Sequence, residues 1–449
     1  MSDTIYYPLT SPQLLIWYTE RMYSGTSISN VAGTLRIKDN VDIDKLEKAI
    51  NLFIRNNEGM RLRLCLDDEG NPQQYVSEYV YSNIEVKDFS NLEDPIKAMQ
   101  EFDKNETLKP FELLNSELFR FIIIKVSDND AGFYICTHHI ISDAWSMGNL
   151  GSSIVAYYCD LIKNRDDASF NTLIPSYLSY IEKEKLYLES NRIEKDKNYW
   201  ESTFDSAPER TVLKSRKSNI VSAKSRRKTF IAPKKFAKKL RDYCAENKVT
   251  PYPLFLSALA MYINRVTEKE DIILGTPILN RLNHADKNTS GMFINTIPLR
   301  ININSEDSFM NFSQSILNLC STSYRHQKYP YDRVLKFVRE KHNFSENLFD
   351  IVLSYQNSKF VKSSDVEYTT RWHFNEHQSN SLTVHINDRD DDGILIIDYD
   401  YHTDLYYDKE IEFIHQHMLS LLWHALDNPA NLICKIEMLT ENEKKKGII

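Results

Sequence analysis

The chain has 449 residues and a net charge of −8, with 42% hydrophobic and 26% charged residues. This composition is that of a folded protein, the length predicts two domains or two large lobes, and the negative charge argues against general nucleic-acid binding. The apolar runs are too short to span a bilayer, the N-terminus lacks a secretion signal, and the six cysteines form no CxxC pair, so we expect a cytoplasmic protein with reduced thiols and no membrane association.

The first clear elements in chain order are a helix and a hairpin. The stretch DIDKLEKAINLFIRNN (42–57) places its apolar residues at helical spacing. The stretch FRFIIIKVSDNDAGFYICTHH (119–139) predicts two apolar strands joined by a polar turn. Because SMGNLGSSIVAYYCDLIKN (146–164) predicts another helix, the segment THHIISDAWS (137–146) lies where a strand passes into a helix.

The second half of the chain begins with polar and basic segments. Residues 175–200 predict a solvated helix that connects two lobes. Residues 214–228 are rich in Lys and Arg, which indicates either an exposed loop plus strand or a docking surface for an anionic partner such as a phosphorylated cofactor arm. A second series of helices and strands follows, with helices opened by Pro233 and Pro251 and a final amphipathic helix over 408–426.

The segment THHIISDAWS carries two adjacent histidines, for which a metal site is one interpretation. A strand directs His138 and His139 to opposite faces, so they are poor partners for a single zinc ion. The sequence has no HExxH and no compact Cys/His cluster, and His415, His417 and His424 are spread along the last predicted helix. We therefore expect no metal.

Two interpretations of the doublet remain. An isolated pair of histidines at a strand end is usually structural. Here Asp143, Trp145 and Ser146 follow at a helix start, where free backbone N–H groups can stabilise an oxyanion beside a histidine able to accept a proton near neutral pH. These neighbouring residues favour a role in acyl transfer. The sequence lacks a GxSxG elbow, a GxGxxG loop and a Walker loop, so neither a serine triad nor a nucleotide cofactor is indicated.

Several sequence blocks resemble condensation domains of nonribosomal peptide synthetases, which are relatives of chloramphenicol acetyltransferase. HHIISDAWS resembles their HHxxxD motif. The other blocks, in chain order, are LTSPQLLIW, NNEGMRLR, LGTPILNR, GMFINTIPLR, RHQKYPYDRV, NLFDIVLSYQN and LICKIEMLTENEKKKGII. The first histidine and the DAWS letters favour simple condensation over heterocyclisation or epimerisation, and the DFGWG block of plant alcohol acyltransferases is missing.

The chain departs from the family pattern at a few positions. Asn56 and Asn57 replace an Arg and a His, and Lys328 stands where an acidic residue is usual. Ala144 replaces the glycine that ordinarily follows the motif aspartate. Because a positive φ would strain alanine, we expect a negative φ at this position.

The resemblance implies an α/β (α+β) fold of two chloramphenicol acetyltransferase-like lobes, arranged as a V-shaped pseudo-dimer with a central tunnel. We expect the N-terminal lobe over 1–175, the C-terminal lobe over 176–435, and over 436–449 the start of a linker to an adenylation domain. Only eight residues precede the first block. If Met1 is the natural start, we expect no carrier protein ahead of the domain on the same chain.

The resemblance also implies roles for individual residues. His139 would contact the attacking amine, while His138 and Asp143 would hold the loop. Arg281, from the other lobe, is expected to pair with Asp143. The residues implied along the substrate tunnel are Ser11, Trp145, Ser146, Gly148 and Asn295.

The implied reaction moves an acyl or peptidyl group from a carrier-bound or CoA thioester to the amine of a carrier-bound aminoacyl thioester. The domain itself would bind no cofactor; phosphopantetheine arms or CoA would carry the substrates. Expected partners are donor and acceptor peptidyl carrier proteins and a downstream adenylation domain, with the domain itself a monomer. The alternatives are a chain-initiating, acyl-CoA-dependent lipidating domain, a free-standing acyltransferase acting on a small soluble acceptor, and a carrier-docking module without catalysis.

Overall fold

The computed structural model describes residues 4–164, 174–214, 222–357, 365–388 and 393–445. The chain divides into two compact units, each assembled from three segments. The first comprises Met1–Ser190, Leu279–Ile294 and Ser358–His377, and the second comprises Asn191–Ile278, Asn295–Asn357 and Gln378–Ile449. The boundary expected near residue 175 stays a prediction.

The first unit contains a five-stranded and a three-stranded sheet. Its strands are β1 (Tyr7–Pro8), β2 (Asn30–Ile37), β3 (Leu62–Leu66), β4 (Pro72–Val76), β5 (Glu85–Asp88), β6 (Phe119–Ser127), β7 (Asp130–His138) and β12 (Tyr368–His373). Its helices are α1 (Ser11–Met22), α2 (Ile43–Asn56), α3 (Pro95–Leu108), α4 (Ala144–Ile162), α5 (Tyr177–Leu188) and α9 (His284–Lys287). The strand orders are β12-β2-β7-β6-β5 and β1-β4-β3.

The second unit contains one six-stranded sheet in the order β10-β9-β11-β13-β14-β8. Its strands are β8 (Ser225–Ile231), β9 (Asp271–Ile278), β10 (Asn295–Asn302), β11 (Ile351–Gln356), β13 (Leu382–Asn387) and β14 (Ile396–His402). Its helices are α6 (Asn191–Thr203), α7 (Lys234–Asn247), α8 (Pro251–Thr267), α10 (Phe309–Arg325), α11 (Tyr331–His342), α12 (Asp408–Asp427) and α13 (Glu441–Lys445).

Strand β7 is central in its sheet, between β2 and β6, and all nine of its residues are buried. A strand covered on both faces favours a continuous apolar run, which is why Ala131–Cys136 do not alternate with polar residues. The predicted hairpin is confirmed as the antiparallel pair β6–β7. The helices predicted before and after it are confirmed as α2 and α4, which pack against each other.

The single helix predicted over 175–200 is wrong, because two helices, α5 and α6, occupy this stretch. The Ser190 hydroxyl donates to the carbonyl of Tyr187 (2.8 Å) and closes the end of α5. Nor is α5 wholly solvated, since Tyr177, Tyr180 and Ile181 are buried. These apolar residues recur every three or four positions along an otherwise charged helix, and so they share one face.

In the basic stretch 214–228, residues 215–221 lie outside the described ranges. The remaining residues include the start of β8, which pairs with β14. Their charges are matched by acidic side chains of the second unit. The pairs are Lys214–Glu410, Arg226–Asp408, Arg227–Asp400 and Lys228–Glu412. The strand of the first interpretation is therefore present. In the described part of the stretch, these four basic side chains form ion pairs within the second unit.

Two histidines of α12 make side-chain contacts within the second unit. His415 stacks on Phe230 with a centroid separation of 4.0 Å, and its Nδ1 lies 3.2 Å from the hydroxyl of Tyr399. His417 pairs with Glu443 (2.9 Å). Across the described ranges, no three His, Cys, Asp or Glu side chains are grouped to hold a metal ion. In the same ranges no helix combines the length and the apolar character needed to cross a bilayer.

We expect the second unit to lose stability at acid pH because His415 is held neutral. Burial lowers the pKa of His415 from 6.5 to about 4. The unfolded chain takes up this proton near pH 6.5 and the folded chain only near pH 4, so unfolding binds a proton between these values. The stabilisation that comes from keeping His415 neutral is therefore complete above pH 6.5. As the pH is lowered to 4, the free energy of unfolding falls by up to about 3 kcal/mol.

Urea titrations between pH 7.5 and pH 4 measure this effect. His415→Gln should flatten the dependence on pH, and His424→Gln, at a half-buried position of the same helix, is the matched control. An equal slope in the wild type and in His415→Gln would contradict the assignment.

Candidate active site

The site is built where β7 ends. His138 is the last residue of the strand and pairs in register with Asn30 of β2. The His139 N–H donates to the carbonyl of Ser29 (2.7 Å), which extends the ladder by one bond. The chain then turns, and the Ile141 N–H donates back to the carbonyl of His138 (3.1 Å). This short turn presents His139 just before α4 begins.

Asp143 starts α4 as its N-cap. Its φ of −127° and ψ of 177° are extended, and its carboxylate accepts a hydrogen bond from the Ser146 N–H (2.9 Å). Ala144 is the first helical residue and is not among the residues with positive φ. The negative φ expected there is confirmed, so alanine replaces glycine at this position without backbone strain.

His138 is buried (1% exposed) and faces the scaffold. Its Nδ1 accepts a hydrogen bond from the Ile140 N–H (3.2 Å), and its Nε2 lies 3.4 Å from a carboxylate oxygen of Glu20. Burial lowers the pKa of His138, against the opposing effect of Glu20. His138 is therefore a neutral part of the turn.

His139 differs from its neighbour. Its residue is half-exposed, and its Nδ1 is buried without a hydrogen-bond partner in the described part of the chain. A buried ring nitrogen without a partner costs free energy, and such groups are rare in folded proteins unless they have a function. Of the two adjacent histidines, His139 is the one with unused hydrogen-bonding capacity.

An ion pair lies behind the turn. Asp143 and Arg281 have fully buried side chains, and Arg281 Nη1 donates to Asp143 Oδ2 over 2.7 Å. The same oxygen accepts hydrogen bonds from the N–H groups of Phe293 (3.0 Å) and Ile294 (3.2 Å). Burial would raise the pKa of Asp143, but Arg281 and these hydrogen bonds lower it overall. The aspartate is thus ionised and structural in its contacts.

The structure brings together Asp143 and Arg281, the two residues that we expected to pair. Arg281 falls in the stretch we assigned to the C-terminal lobe, and the structure places it in the first unit, on the segment Leu279–Ile294. Two separate stretches of chain thereby build the environment of Asp143: the turn together with α4, and this returning segment.

Aromatic side chains that the sequence did not predict cover this ion pair. The Phe293 ring lies 4.1 Å from the Arg281 guanidinium and 4.1 Å from the ring of Tyr180. The Tyr177 hydroxyl donates to the carbonyl of Met292 (2.7 Å), and a Cβ on Gly291 would come within 2.1 Å of the Tyr177 ring. The spacing of the two tyrosines on one face of α5 was the signal available in the sequence.

Trp145 and Ser146, two of the predicted tunnel residues on α4, are hydrogen-bonded to other residues of the first unit. Trp145 Nε1 donates to the carbonyl of Lys287 (2.8 Å). The Ser146 hydroxyl donates to the Gly291 carbonyl and accepts from the Gly291 N–H and from Arg281. These three bonds use the one donor and both acceptor positions of the hydroxyl. Their contact with substrate stays a prediction.

The other predicted tunnel residues lie apart in the sequence. Gly148 is half-buried on α4. Ser11 begins α1, and its N–H donates to Glu184 (3.0 Å). Asn295 begins β10 in the second unit, where its amide donates to the carbonyl of Gln327 (3.1 Å). A substrate role for these residues also stays a prediction.

Comparison with known proteins identifies the family. The model of the Condensation domain family matches residues 4–447. Surfactin synthase subunit 1 of Bacillus subtilis (strain 168) is 37% identical over 448 residues, which are 99% of this chain and 12% of that protein. A plipastatin synthase subunit of the same strain is 32% identical over 441 residues, which are 98% of this chain and 17% of that protein. The chain thus spans less than a fifth of either relative.

Solved structures share the fold. A mutant of the starter condensation domain of rhizomide synthetase RzmA, in complex with C8-CoA, has a TM-score of 0.85 at 21% identity and covers 97% of this chain and 98% of its own. The first condensation domain of the CDA synthetase has a TM-score of 0.84 at 18% identity, with coverage of 97% and 99%. The mixed α/β fold expected from the motifs is therefore confirmed. The chain belongs to the condensation domain family.

Proposed function

We propose that this domain transfers an acyl or peptidyl group from a thioester donor to the amine of an aminoacyl thioester, and that His139 contacts that amine. The amide bond forms as the thioester bond breaks. The acyl group stays in the product, and the donor's carrier is released as a free thiol that takes up the proton lost by the amine. The observation that carries the proposal is the contrast within the doublet. His138 is buried and hydrogen-bonded, while His139 is half-exposed and its Nδ1 has no hydrogen-bond partner among the described residues.

Simple energetics indicate what His139 contributes. An α-amino group with a pKa of ~8 is about a tenth neutral at pH 7, so forming free amine costs only about 1–1.5 kcal/mol. Orientation of two tethered reactants is worth ~7–11 kcal/mol. Positioning therefore outweighs the initial deprotonation, and His139 accepts a hydrogen bond or a proton from the amine as the tetrahedral intermediate forms.

The substrates arrive on carriers. The proposed partners are a donor and an acceptor peptidyl carrier protein, whose phosphopantetheine arms hold the reacting thioesters, with CoA as the alternative carrier of the donor. The relatives are much longer proteins, which supports fusion of this domain to others such as an adenylation domain.

Mass spectrometry of an aminoacyl-loaded acceptor carrier tests the proposal. The protein is incubated with this carrier and with either acyl-CoA or an acyl-loaded donor carrier, in separate tubes. The acceptor should gain the mass of the acyl group in at least one tube. Acylation of a small soluble amine without any carrier would instead support the free-standing acyltransferase.

A second candidate is the chain-initiating reaction with acyl-CoA, which is favoured by a narrow apolar cavity in the first unit. The cavity lies between α4 and the strands β2, β7 and β12. The apolar side chains that line it are Leu35, Phe133, Ile135, Met147, Leu150 and Trp372. It adjoins the helix that Asp143 caps, and Met147 donates its N–H to the carbonyl of Asp143 (2.9 Å). At about 30 Å³ this apolar cavity has room for the tip of an alkyl tail and not for a whole fatty chain.

Filling the cavity should change the preferred donor length. Gly151 lines the cavity from α4, so Gly151→Leu should lower the rate with octanoyl-CoA relative to acetyl-CoA by about tenfold, because each buried methylene group is worth about 0.8 kcal/mol. Ala156→Leu, at an exposed position of the same helix, is the matched control. An unchanged ratio of the two rates in Gly151→Leu would remove the cavity from the donor site.

A further inference from the structure

Helix α1 carries two buried polar side chains on one face. Gln13 is 0% exposed and Glu20 is 6% exposed. They stand seven residues apart, which is about two turns, so both side chains leave the helix on the same side. Buried amide and carboxylate groups cost free energy unless they are hydrogen-bonded, so their partners show what the face is for.

Each of them has one partner at the turn that presents His139, and Gln13 also exchanges hydrogen bonds with the side chain of Gln74 (2.8 Å). Gln13 Nε2 donates to the carbonyl of Ile140 over 3.0 Å. Glu20 Oε2 lies 3.4 Å from His138 Nε2. Helix α1 therefore contacts the residue before His139 and the residue after it.

These contacts determine the tautomer of His138. The Ile140 N–H can only donate, so His138 Nδ1 must be an unprotonated acceptor. The proton of the neutral ring then resides on Nε2, where it points toward the carboxylate of Glu20. With the opposite tautomer, Nδ1–H would face the Ile140 N–H, and one bond that shapes the turn would be lost.

We infer that Glu20 is a positioning residue for the condensation reaction: by holding the Nε2–H tautomer of His138, it fixes the turn that aims the His139 ring. This inference rests on the proposed role of His139 and assigns Glu20 no contact with substrate. At metal sites, removing such an outer partner of a histidine costs about 10–100-fold in affinity or activity, and we expect a loss of the same order here.

The test uses two substitutions and a matched control. Glu20→Gln keeps an oxygen that can accept from Nε2–H, whereas Glu20→Leu removes it. Glu106→Leu makes the same change at a glutamate of the same unit that is similarly buried (8% exposed) and pairs with Lys109. We expect Glu20→Leu to lower kcat about 10–100-fold with little change in KM for either carrier. We expect Glu20→Gln to retain most of the rate and Glu106→Leu to lose little.

Nitrogen-15 NMR of the histidine-labelled protein reads the tautomer directly. In the wild type, the His138 signals should report a proton on Nε2 and none on Nδ1, and Glu20→Leu should shift the tautomer balance. A wild-type His138 protonated on Nδ1 overturns the inference whatever the variants do. A Glu20→Leu protein with full kcat, or a Glu106→Leu protein with an equal loss, also overturns it. If the wild type itself forms no amide, the proposed function fails, and this is a separate outcome.

Discussion

Replacing His139 with alanine should lower the rate of amide formation by about 10²–10⁴-fold, the range typical for a group that accepts a proton in the transition state. The substitution removes the half-exposed ring whose Nδ1 has no partner in the described part of the protein. It leaves the buried contacts of His138 and Asp143 in place. The measurement is the initial rate with saturating donor and loaded acceptor carrier, alongside calorimetric titration of each carrier.

The control is His284→Ala, which removes an exposed histidine from the same unit and should not change the rate. We expect both loaded carriers to bind His139→Ala as they bind the wild type, because the ring contributes to the reaction more than to docking. Near-normal turnover of His139→Ala would remove this histidine from the reaction.

Asp143→Asn should destabilise the first unit by about 3–5 kcal/mol, because it leaves the Arg281 charge buried without its partner. Asparagine keeps an oxygen for the N–H groups of Phe293 and Ile294, but its amide N–H2 adds donors where the guanidinium already donates. Urea denaturation followed by circular dichroism measures the loss, and lower expression of folded protein should accompany it.

Two further variants separate charge from packing. Asp242→Asn breaks a solvent-exposed pair with Lys238 and should change the unfolding free energy little. Asp143→Asn combined with Arg281→Met removes both charges and should recover part of the stability lost in the single variant. A fully stable but inactive Asp143→Asn protein would instead give Asp143 a direct part in catalysis.

The sequence predicted those parts of the site that depend on local patterns. The apolar runs on either side of a polar turn defined the β6–β7 hairpin, and the helical pattern beyond it defined α4, so the position of the doublet at a strand end followed. The different surroundings of His138 and His139 were also predictable, because neighbouring residues of a strand face opposite ways.

What the sequence could not provide were contacts made by distant segments. The partner of His138 is Glu20, 118 residues earlier, and no local pattern connects the two. Phe293 and Tyr180 cover Arg281 only because of the way α5 packs. The sequence of residues 175–200 predicted one solvated helix instead, because charged residues dominate its composition. The match between Arg281 and Asp143 came from the family resemblance and not from spacing.

The central claim is that this domain makes an amide bond on a carrier-bound amine through His139. The most direct measurement is a single-turnover reaction with acyl donor and aminoacyl-loaded acceptor carrier, followed by thioester cleavage with hydroxylamine and mass spectrometry of the released small molecule. The wild type should release an N-acyl amino acid derivative, and His139→Ala should release the unmodified amino acid derivative. Release of unmodified amino acid by the wild type, or of equal N-acyl product by both proteins, would contradict the account.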